Sequence, residues 1–343
     1  MTKPDDSAAA SPKTCRHWIW VGLKWSVFAA VILFVGLRAR ELWQQDEDKP
    51  KPSWDDIRLG WLILSAVVYA VGWLPSVWFW RELMLRLGGR VGFVDAVRAY
   101  YCGHLGKYVP GKFTVLVIRS AMVKDRGTGA AAAAVTATVE TLLMMGAGLA
   151  VAVALAPLLV TDAMLEGWPA WIRQTAVQPG VTAALTLVIV LVSLPIIARM
   201  LTIIGVRMTP KSFLEGEQSV RISSGLVAKG LAAFVLSWAC HGLSLGLTIQ
   251  AVSPSSLNLA DWPIWIGAVA AATAIGFAVL FAPGGVGVRE GLLIEFLQVL
   301  PAVGPQQAVA AAVLLRIVWF TTEIVTAGVL YYAVPARGER SEP

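Results

Sequence analysis

The stretch Ala282-Pro283-Gly284-Gly285-Val286-Gly287-Val288-Arg289-Glu290 interrupts an apolar run that begins at Trp262 and resumes as far as Val299. Proline lacks the N–H that a helix interior needs, and the glycines leave the chain free to turn sharply. Arg289 and Glu290 follow the turn at once and place two charges inside a hydrophobic segment. Irregular backbone at membrane depth is tolerated only where protein buries it or a cavity lines it. Residues 262–299 therefore read as a hairpin that dips into a bilayer and returns. Residues 262–281 are also long enough to cross outright, which gives a seven- or eight-span alternative.

The rest of the chain supplies the bilayer. Of 343 residues, 57% are hydrophobic and 15% charged, against about 45–50% and about 25% in soluble domains. That excludes a soluble enzyme, a disordered chain and a disulfide scaffold. The predicted fold is an all-α polytopic membrane protein. Clear spans are 18–37, 59–80, 129–157, 180–198, 226–252 and 306–334. Residues 1–17 are polar and read as a disordered cytoplasmic leader. The apolar core of 18–37 is too long for a signal peptide, and Arg38 and Arg40 follow it, so it reads as a retained span. A short tail, 335–343, ends the chain. Residues 92–124, broken by Lys107, Pro110, Gly111, Lys112 and Arg119, read as a second hairpin.

Basic residues collect on the cytoplasmic side of membrane proteins. The region 81–126 is the densest in Lys and Arg and is assigned inside, as are the 199–225 loop and the tail with Arg337 and Arg340. The 158–179 and 253–261 loops are poor in basic residues and are assigned outside. The mixed 38–58 loop falls outside by counting. The tail stays inside only if 262–299 returns to the side it entered. The net charge of +6 is thus a membrane signal, with no nucleic-acid partner implied. Both termini are expected in the cytoplasm, at the inner membrane.

Each half then contains two spans, a broken hairpin and a third span. Repeat 1 is 18–157 and repeat 2 is 180–334, within a single membrane domain, 18–334. Three spans per half force the second copy to enter from the opposite side, an inverted 3+3 repeat. The tips align as Tyr108-Val109-Pro110-Gly111-Lys112 and Phe281-Ala282-Pro283-Gly284-Gly285. Broken helices at matching places in inverted halves point to a transport site near the midplane.

Charges in hydrocarbon are costly and mark function or interhelical ion pairs. Glu140 lies in mid-span, and Arg316 and Glu323 lie seven apart on one helical face. Glycine-rich tips, Pro110-Gly111 and Pro283-Gly284-Gly285 with Gly287, open half-helices whose N-termini favour anions. With Lys107, Lys112, Arg119, Arg289 and Arg316 they suit a lipid phosphate, and Glu140, Glu290 and Glu323 would balance charge or carry protons. Lys107 and Lys112 suit equally well as interfacial anchors, and the tryptophans near span ends form the usual aromatic belt. Three separated cysteines and three histidines show no metal spacing, and there is no phosphate loop of the P-loop type. No cofactor is implied.

The segments His104-Leu105-Gly106-Lys107-Tyr108-Val109-Pro110-Gly111-Lys112, Arg119, Glu140, Ala282–Glu290 and Arg316 resemble the lysylphosphatidylglycerol synthase transmembrane-region family, flippase-like membrane proteins. The resemblance covers roughly 15–335, although Phe113 and Thr114 stand where a glycine often follows the first tip. It implies movement of a lipid between leaflets without synthesis of that lipid, since no soluble aminoacyl-transfer domain is present. The expected partners are anionic or polyprenyl-phosphate membrane lipids, with envelope-synthesis proteins or a second copy beside them. Two other functions compete: a membrane transferase with Glu140 or Glu290 as base, and a non-catalytic scaffold for envelope synthesis.

Overall fold

The computed structural model describes residues 13–44, 56–109, 114–124, 129–160, 165–176, 178–208, 221–253, 257–279, 285 and 287–333. All regular elements among them are helical. They are α1 (Lys13–Gln44), α2 (Leu59–Gly72), α3 (Leu74–Arg86), α4 (Phe93–His104), α5 (Thr114–Val123), α6 (Ala130–Leu155), α7 (Ala170–Ala176), α8 (Pro179–Met208), α9 (Ser224–Val252), α10 (Trp262–Ala278), α11 (Val288–Leu297) and α12 (Pro305–Ala333).

Six stretches among the described residues are long and apolar enough to cross a membrane: Leu59–Arg86, Ala130–Leu158, Pro179–Arg207, Ser224–Val252, Leu259–Ala278 and Pro305–Ala333. Five coincide with expected spans. The sixth, Leu259–Ala278, was expected as a hairpin limb; it carries a single charge, Asp261, and at 20 residues meets the length for crossing. α1 covers the expected first span and runs on to Gln44. It begins at Lys13, so residues 13–17 of the expected leader are helical; residues 1–12 and 334–343 lie outside the described residues. Pro75, near the start of α3, accounts for the break at Trp73 between α2 and α3.

α9 is the most enclosed of the spans. It packs along α2 and α3 on one side and along α10 on another. Small residues permit that approach: a Cβ at Gly242 would lie 2.6 Å from Ile266 Cγ1, and one at Gly246 2.2 Å from the Trp265 ring. Trp238, Phe234 and Leu245 fill the surrounding core with Tyr69, Phe79 and Trp319. α8, by contrast, presents most of its apolar side chains outward, as a lipid-facing helix does.

Neighbour relations recur between the halves. α6 packs on α10 as α12 packs on α4, α5 on α6 as α11 on α12, and α8 on α6 as α1 on α12. Helix ends group at the two ends of the bundle. Arg58 donates from its backbone N–H to Ala251 O at 3.1 Å, and its guanidinium binds the carbonyls of Gln250 and Ser253. Gln306 Nε2 donates to Trp43 O at 3.0 Å, and Arg38 meets Glu295 at 2.8 Å. At the other end of the bundle Arg98 donates to Tyr331 O at 3.2 Å, and Ile222 N to Thr202 Oγ1 at 3.1 Å.

α12 serves as a ruler. Its 29 residues span about 43 Å at 1.5 Å per residue. Following α4 from Arg98 beside Tyr331, the chain reaches Lys107 beside Glu323 and Tyr108 beside Phe320. The start of α11 meets the same middle turns, with Arg289 over Trp319 and Glu290 beside Arg316. Both irregular regions thus arrive at the centre of one helix.

Candidate functional site

Glu323 is the hub of that centre. It is 3% exposed, and its carboxylate accepts from Lys107 Nζ at 2.5 Å, from Tyr108 OH at 2.9 Å and from Tyr69 OH. These donors come from α2 and from the turn of helix Leu105–Tyr108 that continues α4. Arg316, seven residues earlier on α12, lies 5.6 Å from the Tyr108 ring, so the two charges share a face as their spacing predicts. Arg316 also meets Glu290 at 3.6 Å, with both side chains partly accessible. Glu290 Oε2 accepts from Gly287 N–H at 2.7 Å and so caps α11. Gly287 there has φ of +87°, which only glycine adopts readily.

Arg119 and Glu140 form a separate pair. Arg119 NH1 lies 2.8 Å from Glu140 Oε2, at 3% and 1% side-chain exposure. Tyr100 OH donates to the other carboxylate oxygen at 2.8 Å, and the guanidinium lies over the Tyr100 ring at 3.7 Å. A Cβ at Gly103 would stand 2.5 Å from Arg119 Cγ, so this glycine makes the space for the arginine. Arg119, expected as a phosphate ligand, is thus neutralised by the protein itself: burying a guanidinium demands a carboxylate partner, and α6 supplies one. Lys107 is likewise engaged, by Glu323.

Arg289 differs from all of these. It is 6% exposed and among the described residues forms no ion pair; its Nε, like that of Arg119, is buried without a hydrogen-bond partner. Its guanidinium rests over the Trp319 ring at 4.1 Å. Its place in the second half matches that of Arg119 in the first. Gly103 stands seven residues before Pro110, and Gly276 stands seven before Pro283; Gly276 faces Arg289 Cβ as Gly103 faces Arg119. The span after Arg119 carries Glu140 and the span after Arg289 carries Arg316, which meets Glu290; among the described residues no carboxylate forms an ion pair with Arg289.

Aromatic rings join the two charge clusters. Tyr69 stacks on Trp319 at 4.2 Å, His241 lies 4.6 Å from Trp73, and His104 lies 4.2 Å from Trp73 on its way to Tyr100. None of these rings is assigned a role from the sequence, although His104 opens the stretch that carries the family resemblance. The available signal for Trp319 was its position, three residues after Arg316 and four before Glu323. Pro110, Gly111, Lys112, Pro283 and Gly284 lie outside the described residues; Gly285, with φ of +69°, packs against Gly276. Among the described residues no group of three or more His, Cys, Asp or Glu side chains is arranged to hold a metal ion.

A family model described as the lysylphosphatidylglycerol synthase TM region matches residues 19–326. The chain belongs to the lysylphosphatidylglycerol synthase transmembrane-region family. No curated protein matches it. The match begins at Ile19, inside α1, and ends at Thr326 on α12. It therefore takes in both charge clusters and both irregular regions. Membership and the apolar helices make this a multi-pass membrane protein with a lipid-related role.

Proposed function

We propose that the protein moves an anionic phospholipid, or a polyprenyl-phosphate-linked lipid, between leaflets of the cytoplasmic membrane, with Arg289 as the primary phosphate ligand. The observation that carries this reading is the buried Arg289 guanidinium at the centre of the bundle, which forms no ion pair among the described residues. A charge so placed costs several kcal/mol unless an anion answers it, and a phosphate answers it through two parallel hydrogen bonds. Arg316 and Lys107 stand beside it, held by Glu290 and Glu323, and can turn to the lipid when those pairs loosen.

In the same reading the chain is an inverted 3+3 repeat with two re-entrant hairpins and both termini in the cytoplasm. The exchange of neighbours between halves supports the repeat. The arrival of Tyr108 and Arg289 at mid-α12 from opposite ends supports the hairpins. So does α10: it starts beyond Asp261, and near its end Gly276 already packs against Gly285 and Arg289. The two carboxylate–arginine pairs have reversed polarity, Arg119–Glu140 tight and Glu290–Arg316 slack, as expected of two gates in different states.

Reconstitution of the protein in vesicles containing fluorescent phosphatidylglycerol or a labelled polyprenyl phosphate tests the reading. Exchange between leaflets above that of empty vesicles, abolished by Arg289→Ala in a folded protein, is expected. Exchange no faster than in empty vesicles for every such lipid would refute translocation.

A further inference from the structure

Of the arginines that lie over aromatic rings, Arg119 and Arg289 are the buried ones, and among the described residues only Arg119 of these two forms an ion pair. Arg119 covers Tyr100 and gives NH1 to Glu140. Arg289 covers Trp319, its Nε has no hydrogen-bond partner, and among the described residues it forms no ion pair. A guanidinium over a π face is held by the ring quadrupole, which uses the plane of the cation and none of its donors. The edge of the fork stays open to a bidentate acceptor. Trp319 is itself firmly placed. Tyr69 stacks on its ring at an interplanar angle of 15°, and its Nε1 donates to Ser244 Oγ at 2.9 Å. Ser244 Oγ in turn pairs with Ser65 Oγ at 2.8 Å, and Ser65 reaches Thr248 Oγ1 at 2.9 Å. This hydroxyl ladder between α2 and α9 fixes the indole from behind.

We infer that Trp319 is the positioning residue of the phosphate site: its ring orients the Arg289 guanidinium so that the N–H edge meets a lipid phosphate. The inference rests on the reading of Arg289 as phosphate ligand. It also assigns a reason for arginine at 289, because a lysine ammonium has no planar edge for the ring to orient.

The test uses the full chain in nanodiscs of a neutral lipid, titrated with phosphatidylglycerol and followed by native mass spectrometry of bound lipid. Arg289→Lys should weaken binding about tenfold, the scale of one oriented charge-assisted contact. Trp319→Phe, which keeps a weaker π face, should lose about threefold, and Trp319→Leu about tenfold. The decisive comparison is Trp319→Leu combined with Arg289→Lys. If the ring acts by orienting the fork, the double variant binds no more weakly than Arg289→Lys alone. A further tenfold loss in the double variant, or parent-like binding by Trp319→Leu, would overturn the inference while leaving Arg289 as ligand. Parent-like binding by Arg289→Ala would defeat the phosphate assignment itself. Should Trp319→Leu fail to fold, Trp319→Tyr and Trp319→Phe replace it. Affinity then falls in the order Trp, Tyr, Phe, and equal affinity for all three counts against orientation by the ring.

Discussion

Replacing Arg119 and Arg289 with methionine should move stability in opposite directions, although both are buried arginines on short helices after a turn. At Arg119 the substitution strands Glu140, which is 1% exposed and keeps only Tyr100 and a long 3.5 Å contact from Thr141 Oγ1. Removing one member of a buried pair costs about 3–5 kcal/mol, because the other charge stays desolvated. At Arg289 no carboxylate is stranded. The substitution removes a buried charge whose desolvation costs several kcal/mol, and it forfeits the contact with Trp319, about 2 kcal/mol in a dry setting. The net change is a gain of about 1 kcal/mol or none. Thermal unfolding in detergent, followed by tryptophan fluorescence, should show a marked fall for Arg119→Met and none for Arg289→Met. Phosphatidylglycerol retention should show the reverse order, kept by the folded fraction of Arg119→Met and lost by Arg289→Met. The combination Arg119→Met with Glu140→Leu should recover most of the lost stability. A loss for Arg289→Met as large as for Arg119→Met would mean that Arg289 is held by the protein as Arg119 is, and would remove the reason for calling its site vacant.

Gly103→Ala should destabilise the protein by about 1–3 kcal/mol, since the new methyl meets Arg119 Cγ at 2.5 Å, whereas Gly276→Ala, whose nearest neighbour is 3.4 Å away, should cost less than its counterpart; paired thermal melts decide this. Arg58→Ala removes a charged donor from the carbonyls of Gln250 and Ser253 at the end of α9 and should cost about 2 kcal/mol in the same assay; an unchanged melt would discount that cap. In a variant freed of its native cysteines, thiols placed at Leu259 and at Tyr332 should react with an impermeant reagent from opposite sides of the membrane, and labelling of both from one side would break the hairpin count.

The spans were legible because hydropathy over 20 residues is a strong signal, and α6, α8, α9 and α12 fall where it placed them. The boundary at Ala278 was less so. A stretch that is apolar throughout reads the same whether it crosses or stops half-way, and α10 carries no charge of its own to mark its depth. Charged residues were legible as exceptions, and the common face of Arg316 and Glu323 followed from helical periodicity alone. Their partners were not. Nothing local in the sequence says that Glu140 answers Arg119, 21 residues away, while Lys107 answers Glu323, 216 residues away. Such pairings depend on how α4, α5 and α12 pack. Tyr69 and Trp319 escaped notice for a related reason: an aromatic in a span is unremarkable until a cation is found on its face.

Arg119 and Arg289 differ in the charge that the following span brings near them. Gly103 faces Arg119 and Gly276 faces Arg289, and each arginine comes to rest on an aromatic ring. In the first half the following span presents Glu140, and an internal carboxylate occupies the guanidinium edge. In the second it presents Arg316, which engages the neighbouring Glu290 and leaves the edge of Arg289 open. Glu140 thus stands beside Arg119 where the proposed reading puts a lipid phosphate beside Arg289. It follows that Glu140→Ala, in protein that remains folded, should create a second anion site at Arg119 with the character of the first. Native mass spectrometry with phosphatidylglycerol should then detect a second bound lipid, lost again when Arg119 is replaced by methionine. A single bound lipid in a folded Glu140→Ala protein would mean that the surroundings of Arg119 and Arg289 differ by more than this charge.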